Sequence, residues 1–286
     1  MKYCKMFPVE KMCKVLSVST SGYYYWLKSP ISKRKIWQTL LREQIKQEFY
    51  KSKRTYGAPR ITKELNMQGI VVSQKTVAKI MKENALRSVF KRKFKTTTDS
   101  NHNYPVSPNL LKQNFSVERH NQVWVSDITY IKTRQGWLYL TVIIDLFDRK
   151  VIGWSMSNTM NAKDTTIQAW NMAVKNRPIE KQLIFHSDRG IQYACERFRN
   201  KLKAYPLVVQ SMSRKGNCWD NAVAESFFKS LKVEAIYPYK FNDNQITKLS
   251  VFKYIETWYN KNRRHSALGN LTIKEFEQFS NLKNVA

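Results

Sequence analysis

The feature that most constrains the fold is a change of hydrophobic period near residue 116. Up to that point apolar residues recur at helical spacing, whereas residues 122–131, 136–145 and 150–157 have the period of β-strands. The short separations between these three segments favour an antiparallel meander. The first part of the chain is therefore predicted to be helical, and the second part to be built on a sheet.

Helices and strands alternate after the meander. The predicted order is a helix over residues 161–176, a short buried strand over 183–186, a helix over 196–203, a brief strand over 207–210 and a basic loop running into a helix that ends near residue 232. Three strands followed by this alternation indicate an α/β layout.

The last helix of that order is amphipathic. Its apolar stripe, which can dock on a core, consists of Ala224, Phe227, Phe228 and Leu231. A polar stripe beside it consists of Asn221, Glu225, Lys229 and Lys232. One carboxylate and two cations thus share a face that could look into a site.

The first part of the chain is predicted to contain several helices. Two short ones, over residues 9–16 and around the aromatic run 23–26, are separated by serines able to cap the second. A long helix follows over residues 32–51. The block Tyr56-Gly-Ala-Pro-Arg60 then leads into two more helices separated by a turn at Gly69.

These last two helices match a helix-turn-helix pattern. Ser73 is the expected N-cap of the second helix, which is predicted to bury Val77, Ile80 and Met81. The side chains of Gln74, Lys75 and Lys79 point away from that core, as suits a recognition helix in a DNA groove. Other helical hairpins share the pattern, so the charge of the chain is needed to decide.

The charge balance points to a polyanionic partner. The chain holds 50 Lys and Arg against 21 Asp and Glu, which gives a net charge of +29. Nucleic acid is the leading partner because binding phosphates releases counterions; an anionic membrane surface or a ribosome-like assembly is the alternative. Residues 1–115 carry 24 of the cations and 6 of the acidic residues, so the N-terminal part is the stronger expected binder.

Neither a membrane span nor a signal peptide is expected. The longest apolar run, Trp137 to Ile144, is shorter than the roughly 20 residues of a spanning helix. The cysteines at positions 4, 13, 195 and 218 form no C-x-x-C pair, so we expect free thiols in a reducing cytoplasm.

A basic stretch separates the two parts of the chain. Residues 90–95 read Phe-Lys-Arg-Lys-Phe-Lys, and the polar residues after them include two prolines. We interpret the stretch as an interdomain linker whose cations could also follow a phosphate backbone. The predicted domains are a small helical unit over residues 1–30, a helix-turn-helix DNA-binding region over 31–88, a basic linker over 89–115 and an α/β domain with a C-terminal helical extension over 116–286.

Three carboxylates lie in informative places. Asp127 is in the middle of a strand, where a buried carboxylate is costly unless it is paired or bound to metal. Asp188 follows a short apolar strand, where open α/β sheets place ligand sites. Glu225 lies on the polar stripe. Taken singly, Asp188 could cap a loop and Glu225 could belong to a salt-bridged surface helix.

Together the three carboxylates suit a pair of Mg²⁺ ions. They offer hard oxygen ligands and leave coordination positions for phosphate and water. Two such ions can stabilise both the attacking and the leaving oxygen in an in-line displacement at phosphorus. Asp145 also ends a strand, but we assign it to the turn that follows. His186 could orient a ligand, although a core histidine is the simpler interpretation.

The segments that carry these residues resemble a known family. Trp124–Tyr130, Phe185–Gly190 and Ser211–Lys232 resemble the three signature blocks of the DDE transposase and retroviral-type integrase core. They are most similar to the second-frame protein (OrfB) of the IS3/IS150 insertion-sequence family. Tyr56–Arg60 resembles the helix-turn-helix block of that family, and Trp258–Leu268 resembles its C-terminal block. The resemblance covers nearly the whole chain.

The resemblance implies an RNase H-like catalytic domain, with a mixed sheet flanked by helices, preceded by small all-helical helix-turn-helix DNA-binding units. The implied activity is Mg²⁺-dependent DNA cleavage at the ends of an insertion sequence, then transfer of the freed 3′-OH to another phosphodiester. Asp127, Asp188 and Glu225 match the catalytic, metal-binding triad, which would hold two ions, with Mn²⁺ able to substitute.

DNA contacts are expected from two groups of residues. The group near the triad is Lys232, Lys229, Arg214 and Lys215, and the N-terminal group is Gln74, Lys75, Lys79 and Arg60. Lys232 matches the family's basic residue seven positions after the glutamate.

The implied partners are double-stranded DNA, as terminal inverted repeats and as target, further copies of the chain on that DNA, and the upstream-frame protein (OrfA) or a fusion with it. The implied location is the bacterial cytoplasm, at the nucleoid. Two alternatives stay open: a hydrolytic nuclease of the same fold, which would not join strands, and a non-enzymatic helix-turn-helix regulator, for which the carboxylates would be dispensable.

Two positions depart from the family pattern. One more residue than usual lies between Asp188 and Glu225, through an insertion near Tyr205–Val209. Ile273 stands where a proline is common, which bears on the start of a terminal helix. Neither departure touches a predicted ligand.

Overall fold

The computed structural model describes residues 7–29, 31–89, 104–239, 241 and 243–285, and the N-terminal part of these is helical. The helices are α1 (Val9–Val15), α2 (Thr20–Lys28), α3 (Lys33–Lys51), α4 (Ala58–Met67) and α5 (Gln74–Glu83). Ser19, Ser32 and Ser73 each cap a helix by accepting a hydrogen bond from the backbone N–H three residues later. The basic run of residues 90–95 lies outside the described residues.

Helices α4 and α5 pack on the second half of α3. Their shared core includes Ile45 of α3, Ile61 of α4 and Val77 of α5, each fully buried. The first half of α3 extends beyond this core, so Ile36 and Leu40 are exposed although they lie at helical spacing from Ile45. The predicted helix-turn-helix is present.

The second part of the chain contains a mixed five-stranded sheet. Its strands are β1 (Val123–Thr133), β2 (Gly136–Asp145), β3 (Val151–Ser157), β4 (Leu183–Ser187) and β5 (Val208–Met212). Their spatial order is β3-β2-β1-β4-β5. The pairs β1–β2 and β2–β3 are antiparallel, which confirms the meander, and β4 and β5 run parallel to β1. This is the sheet of an RNase H-like fold.

Helices cover both faces of the sheet. On one face lie α6 (Thr166–Asn176), α7 (Ile191–Ala194) and α8 (Glu196–Lys203), which enclose a core around Trp170 and Phe185. Helix α6 approaches β3 closely: a Cβ added at Gly153 would lie 2.2 Å from the Ala169 carbonyl oxygen. On the other face lies α9 (Ala222–Leu231), whose predicted apolar stripe is buried.

The C-terminal part continues these helices. A π-helical turn over Lys232–Ile236 extends α9, and a second over Tyr254–Tyr259 extends α10 (Asn244–Lys253). Within the first of these turns, the buried Glu234 carboxylate is paired with Arg263 at 2.8 Å. Helix α11 (Ile273–Val285) begins at Ile273 without the family's proline, because Thr272 and Glu275 exchange hydrogen bonds as a capping box.

The C-terminal block also braces the helix-turn-helix region. The Tyr56 hydroxyl accepts a hydrogen bond from the Arg264 backbone N–H at 2.8 Å, and the Arg264 guanidinium pairs with Glu64 of α4 and with Glu275 of α11. The ring of Trp258 packs against that of Tyr56 with 6.0 Å between centroids. The helix-turn-helix region is thus fixed to the end of the chain.

Part of the predicted linker packs on the α/β domain. Leu111 is buried in the core beneath α9, and the Leu110 backbone N–H donates to the Ser211 hydroxyl at 2.9 Å. Within the described ranges, no helix is both long and apolar enough to cross a membrane. Cys13 and Cys195 are free thiols, as expected for these two.

Candidate active site

Asp127 and Asp188 lie on neighbouring parallel strands. Ser126 of β1 is the register partner of Ser187 of β4. The next residue along each chain is therefore Asp127 on one strand and Asp188 on the other. Strand β4 ends at this point while β1 continues, so the two carboxylates flank the carboxyl end of β4, where the sheet opens.

The start of α9 is fixed beside Asp127. The buried Asn221 side chain donates a hydrogen bond from Nδ2 to the Ser126 carbonyl oxygen at 2.9 Å. One turn later along the helix comes Glu225, which is exposed. Asn221 was predicted only as a member of the polar stripe, but it is the contact that holds the helix against β1.

The loop before α9 is held by a buried carboxylate. Asp220 accepts hydrogen bonds from the backbone N–H and the guanidinium of Arg214, from Asn109 at 2.8 Å and from Gln113 at 2.9 Å. Chiefly because of the bonds from Arg214, the pKa of Asp220 lies well below its ordinary value. Residues 214–220 are therefore tied to the segment before the sheet, and the entry into α9 is fixed.

The charges of the site interact. Burial raises the pKa of Asp127 well above its ordinary value, and the Asp188 and Glu225 carboxylates raise it further, while the Ile128 backbone N–H and Lys232 oppose the rise. Burial also raises the pKa of Glu225. The charges of Asp188 and Glu225 thus both act on Asp127, and Lys232 is the cation that opposes them there.

Two tyrosines that sequence reasoning missed lie at the same place. The Tyr193 hydroxyl is 2.8 Å from the Ser126 hydroxyl, which donates to the Val142 carbonyl oxygen. Burial raises the pKa of Tyr193 well above its ordinary value, and the carboxylates of Asp127 and Asp188 add to this. Tyr193 is therefore a neutral support beneath β1; the pKa of Tyr130 is raised by burial and the same neighbours.

The donor set fits a divalent cation. Asp127 and Asp188 are half-buried and Glu225 is exposed, so none of the three residues is sealed in the core. Their mutual repulsion is balanced in part by one lysine. Carboxylate oxygens in this state are the ligands that Mg²⁺ and similar hard cations prefer.

A second acidic cluster has a structural role. His120, Asp145 and Asp148 approach closely enough to be compared with a metal site. However, the guanidinium of Arg177 pairs with both aspartates, and Asp145 also accepts hydrogen bonds from the backbone N–H groups of Asn121 and Phe147. The cation at this cluster is an arginine, and the assignment of Asp145 to the turn is confirmed.

His186 belongs to the core. Its two ring nitrogens lie 2.9 Å from the Ser211 hydroxyl and 3.2 Å from the Ser213 hydroxyl, and the ring is fully buried. Burial lowers its pKa to about 4, so it is neutral at physiological pH. It joins β4 to the segment that leaves β5.

The predicted DNA-contacting residues near the triad differ in their surroundings. Lys232 is half-buried, and burial lowers its pKa while Asp127 opposes the shift. Lys229 is half-buried and Lys215 is exposed. Arg214 is exposed too, but its guanidinium is committed to Asp220 at 2.9 Å, which leaves less of its charge for DNA.

The N-terminal candidates also separate into two kinds. Gln74, Lys75 and Lys79 are exposed on α5, as predicted for a recognition helix. Arg60 is half-buried, with its guanidinium 5.4 Å from the centre of the Tyr56 ring. It lies between the helix-turn-helix region and the C-terminal block, where the positive charge of Arg263 acts on it.

The chain is similar to known protein families and to known proteins. Two integrase core domain families match residues 117–218 and 207–272, and an HTH-like domain family matches residues 35–94. The chain is 44% identical to the transposase InsF for insertion sequence IS3A of Escherichia coli K12, with 100% of this chain and 98% of that protein covered.

A second relative and one solved structure are also similar to this chain, to different extents. The 31 kDa protein of insertion element IS600 of Shigella sonnei is 43% identical, with 93% of this chain and 97% of that protein covered. The HTLV-2 integrase catalytic core domain in complex with magnesium is 16% identical, with a TM-score of 0.42, over 55% of this chain and 95% of that chain.

Proposed function

The chain belongs to the transposase family of insertion sequence IS3, and we propose that Asp127, Asp188 and Glu225 are its catalytic residues. Membership makes it a DDE polynucleotidyl transferase with DNA as its substrate. The observation that carries the proposal is the register of β1 and β4, which aligns Asp127 with Asp188 beside the start of α9.

The proposed reaction has two phosphoryl-transfer steps. In the first, water cleaves a phosphodiester at an element end and leaves a 3′-OH; in the second, that 3′-OH attacks a phosphodiester of the target. Both steps displace one oxygen from phosphorus while another bonds to it. Glu225 is exposed and the two aspartates are only half-buried, which supports access of a duplex to the carboxylates.

The carboxylates are proposed to hold two Mg²⁺ ions, with Mn²⁺ able to substitute. The repulsion that raises the pKa of Asp127 supports this, since bound cations would offset it. Such ions supply Lewis-acid stabilisation of the attacking and leaving oxygens. Two residues of the chain position the helix that carries Glu225: Asn221 fixes α9 to β1, and Asp220 fixes the loop before α9.

Lys232, Lys229 and Lys215 are proposed to contact DNA phosphates around the carboxylates. Arg214 is proposed to contact phosphate more weakly, because its charge is paired with Asp220. Gln74, Lys75 and Lys79 are proposed to face the DNA groove from α5. Their exposure and the capped start of that helix support this role.

The finer organisation is also part of the proposal. The units over residues 1–30 and 31–88 would bind DNA, the stretch 89–115 would connect them to the catalytic domain over 116–286, and the chain would act as an oligomer on DNA with the upstream-frame protein or fused to it. The proposed location is the bacterial cytoplasm, at the nucleoid. The net charge of +29 supports binding to DNA.

A strand-transfer assay tests the catalytic assignment. A duplex with a pre-cut 3′-OH element end is incubated with a target plasmid and Mg²⁺. Asp127→Asn, Asp188→Asn and Glu225→Gln should each abolish joined product and keep DNA affinity. Glu180→Gln, which removes an exposed carboxylate before the start of β4, at the other end of that strand from Asp188, is the matched control and should join normally.

The same assay separates the alternatives. Cleavage without joined product would favour a hydrolytic nuclease, and near-normal joining by Glu225→Gln would refute the triad. A fold check by circular dichroism accompanies each variant, so that loss of joining is read only from folded protein.

A further inference from the structure

A cleft of about 240 Å³ lies beside α9, on a different face from Glu225. Helix α9 forms one wall, and the other lining residues come from the helix-turn-helix region, the segment before the sheet, the turn after β2 and the C-terminal block. The residues that matter are Arg60, Arg149, Arg263, Ser226, Ser230 and Ser266. None of the described residues that line it is acidic.

Two of its three arginines form no salt bridge among the described residues. Arg263 is neutralised by Glu234, which lies behind it. Arg60 and Arg149 have no salt-bridge partner among the described residues. Arg149 donates from Nη2 to the Phe115 carbonyl oxygen at 3.2 Å, but its Nε and Nη1 are buried and have no acceptor within the described ranges.

Buried guanidinium donors without acceptors are costly. Desolvating a charged donor forfeits its hydrogen bonds to water, and two charges of the same sign repel. Burial lowers the pKa of Arg149, and Tyr259, Asp145 and Asp148 oppose this shift only in part. Burial and then Arg263 lower the pKa of Arg60, and Glu234 is the main group that opposes this shift. An oxyanion in the cleft would remove both penalties at once.

The positive charges of these arginines also act on the neighbouring His265. Burial, together with the charges of Arg263, Arg60 and Arg149, lowers the pKa of His265 to about 3. His265 is therefore neutral and adds no charge of its own. Three arginines from distant parts of the sequence thus act on one small volume.

The remaining polar groups suit phosphate oxygens. Ser226 and Ser266 are exposed at the cleft. The Ser230 hydroxyl oxygen accepts from Arg263 at 3.0 Å, so its own O–H is directed elsewhere and can donate. Guanidinium groups and hydroxyls, with no carboxylate among the lining residues, form a donor set for a tetrahedral oxyanion.

We propose that this cleft binds a phosphate group, which bridges Arg60 of the helix-turn-helix region and Arg149 of the catalytic domain beside helix α9. The phosphate is either a free phosphoanion or a phosphodiester of bound DNA; both present the same oxygens. The inference goes beyond the proposed reaction, because binding of free phosphate does not require the carboxylates to be catalytic.

Free phosphate is tested first, on the full chain without DNA. The thermal midpoint is followed while inorganic phosphate replaces chloride at constant ionic strength. Wild type should show a saturable rise in the low-millimolar range, and Arg149→Gln and Arg60→Gln should lack it. Arg197→Gln, at an exposed arginine of α8 outside the cleft, is the control and should behave as wild type.

Comparison with the control is needed because phosphate also stabilises proteins without binding at a site. That general effect is shared by all variants and does not saturate. Arg149→Gln removes no ion pair, so the variant should fold, and Arg60→Gln provides the same test from the opposite wall. If phosphate raised the thermal midpoint equally in wild type and in both variants, the proposal that the cleft binds free phosphate would be overturned.

The DNA arm distinguishes the source. The logarithm of duplex affinity is measured against the logarithm of salt concentration for the same proteins. If the cleft takes a DNA phosphate, Arg149→Gln should flatten the slope by about one unit and phosphate should compete with DNA. If it takes free phosphate alone, the slope stays unchanged while the thermal response persists. Absence of both effects refutes the inference.

Discussion

Repulsion between the carboxylates predicts that Asp188→Asn stabilises the metal-free protein. The register of β1 and β4 places Asp188 beside Asp127. For neighbouring strands about 5 Å apart and an effective dielectric constant of about 20, two unit charges repel by about 3 kcal/mol. Because both groups are only half-buried, solvent screening reduces this to roughly 1–2 kcal/mol.

The assay is thermal unfolding in a chelator at neutral pH. A gain of this size should raise the midpoint by about 3–6 °C for a domain of this class. Asn keeps the oxygen that accepts from the Gly190 backbone N–H at 2.9 Å, so the local turn is preserved. Glu180→Gln removes the same charge from an exposed position and controls for the large net charge; its midpoint should not move.

The pH dependence has a definite sign. Because the pKa of Asp127 is raised in the folded state, the native protein binds more protons than the unfolded chain between the two pKa values. Wild-type stability therefore falls as pH rises through the raised pKa. Asp188→Asn removes one cause of that rise, so its advantage should appear at neutral pH and vanish in acid, where Asp127 is protonated.

Addition of Mg²⁺ should reverse the ranking, because the wild type gains more from bound cations than a variant that has lost one ligand. If Asp188→Asn were no more stable than the wild type in chelator, the carboxylates would already be compensated by other groups, and the electrostatic account of the site would be wrong.

Three further changes test other parts of the molecule. Arg263→Met should cost about 3–5 kcal/mol in chemical denaturation, since it leaves the buried Glu234 carboxylate unpaired; a loss below about 1 kcal/mol would contradict this. Gly153→Ala should destabilise by about 1–3 kcal/mol, because its Cβ would lie 2.2 Å from the Ala169 carbonyl oxygen and α6 must move; an unchanged thermal midpoint would show that α6 yields freely. Lys75→Ala should reduce the salt slope of DNA binding by about one unit, measured by titration at several salt concentrations, and an unchanged slope would place Lys75 away from phosphate.

The sequence predicted the architecture because the signals were local. Residues 136–145 form the predicted strand and residues 196–203 the predicted helix, with the same bounds. The hydrophobic period and the residues that flank each segment are sufficient to define such elements. Helix 161–176 begins five residues late, at Thr166, because residues 161–165 form a turn in which the Thr165 hydroxyl bonds to the Asn161 carbonyl oxygen. Such a turn has no distinctive periodicity.

The site was predictable in its carboxylates but not in their supports. Asp127 and Asp188 could be found because a carboxylate within or directly after an apolar strand is unusual. Asp220 looked like an ordinary loop residue, since its partners Asn109 and Gln113 lie more than a hundred positions earlier. No periodic pattern reports contacts of that range.

The same limit explains Arg60. Its motif indicated a DNA-facing cation, but whether a guanidinium on α4 meets solvent or another domain depends on the C-terminal block, about 200 residues later. The structure places it beside Tyr56 and within reach of the charge of Arg263. The roles of the basic residues thus depend on tertiary contacts that the sequence does not display.

The contact between Tyr56 and Arg264 has a consequence for how the protein is made. Its two partners are 208 residues apart, so it cannot form until nearly the whole chain has left the ribosome. The helices over residues 33–83 can assemble their own core much earlier, during synthesis. The helix-turn-helix region is therefore among the first parts to fold and among the last to receive its full support.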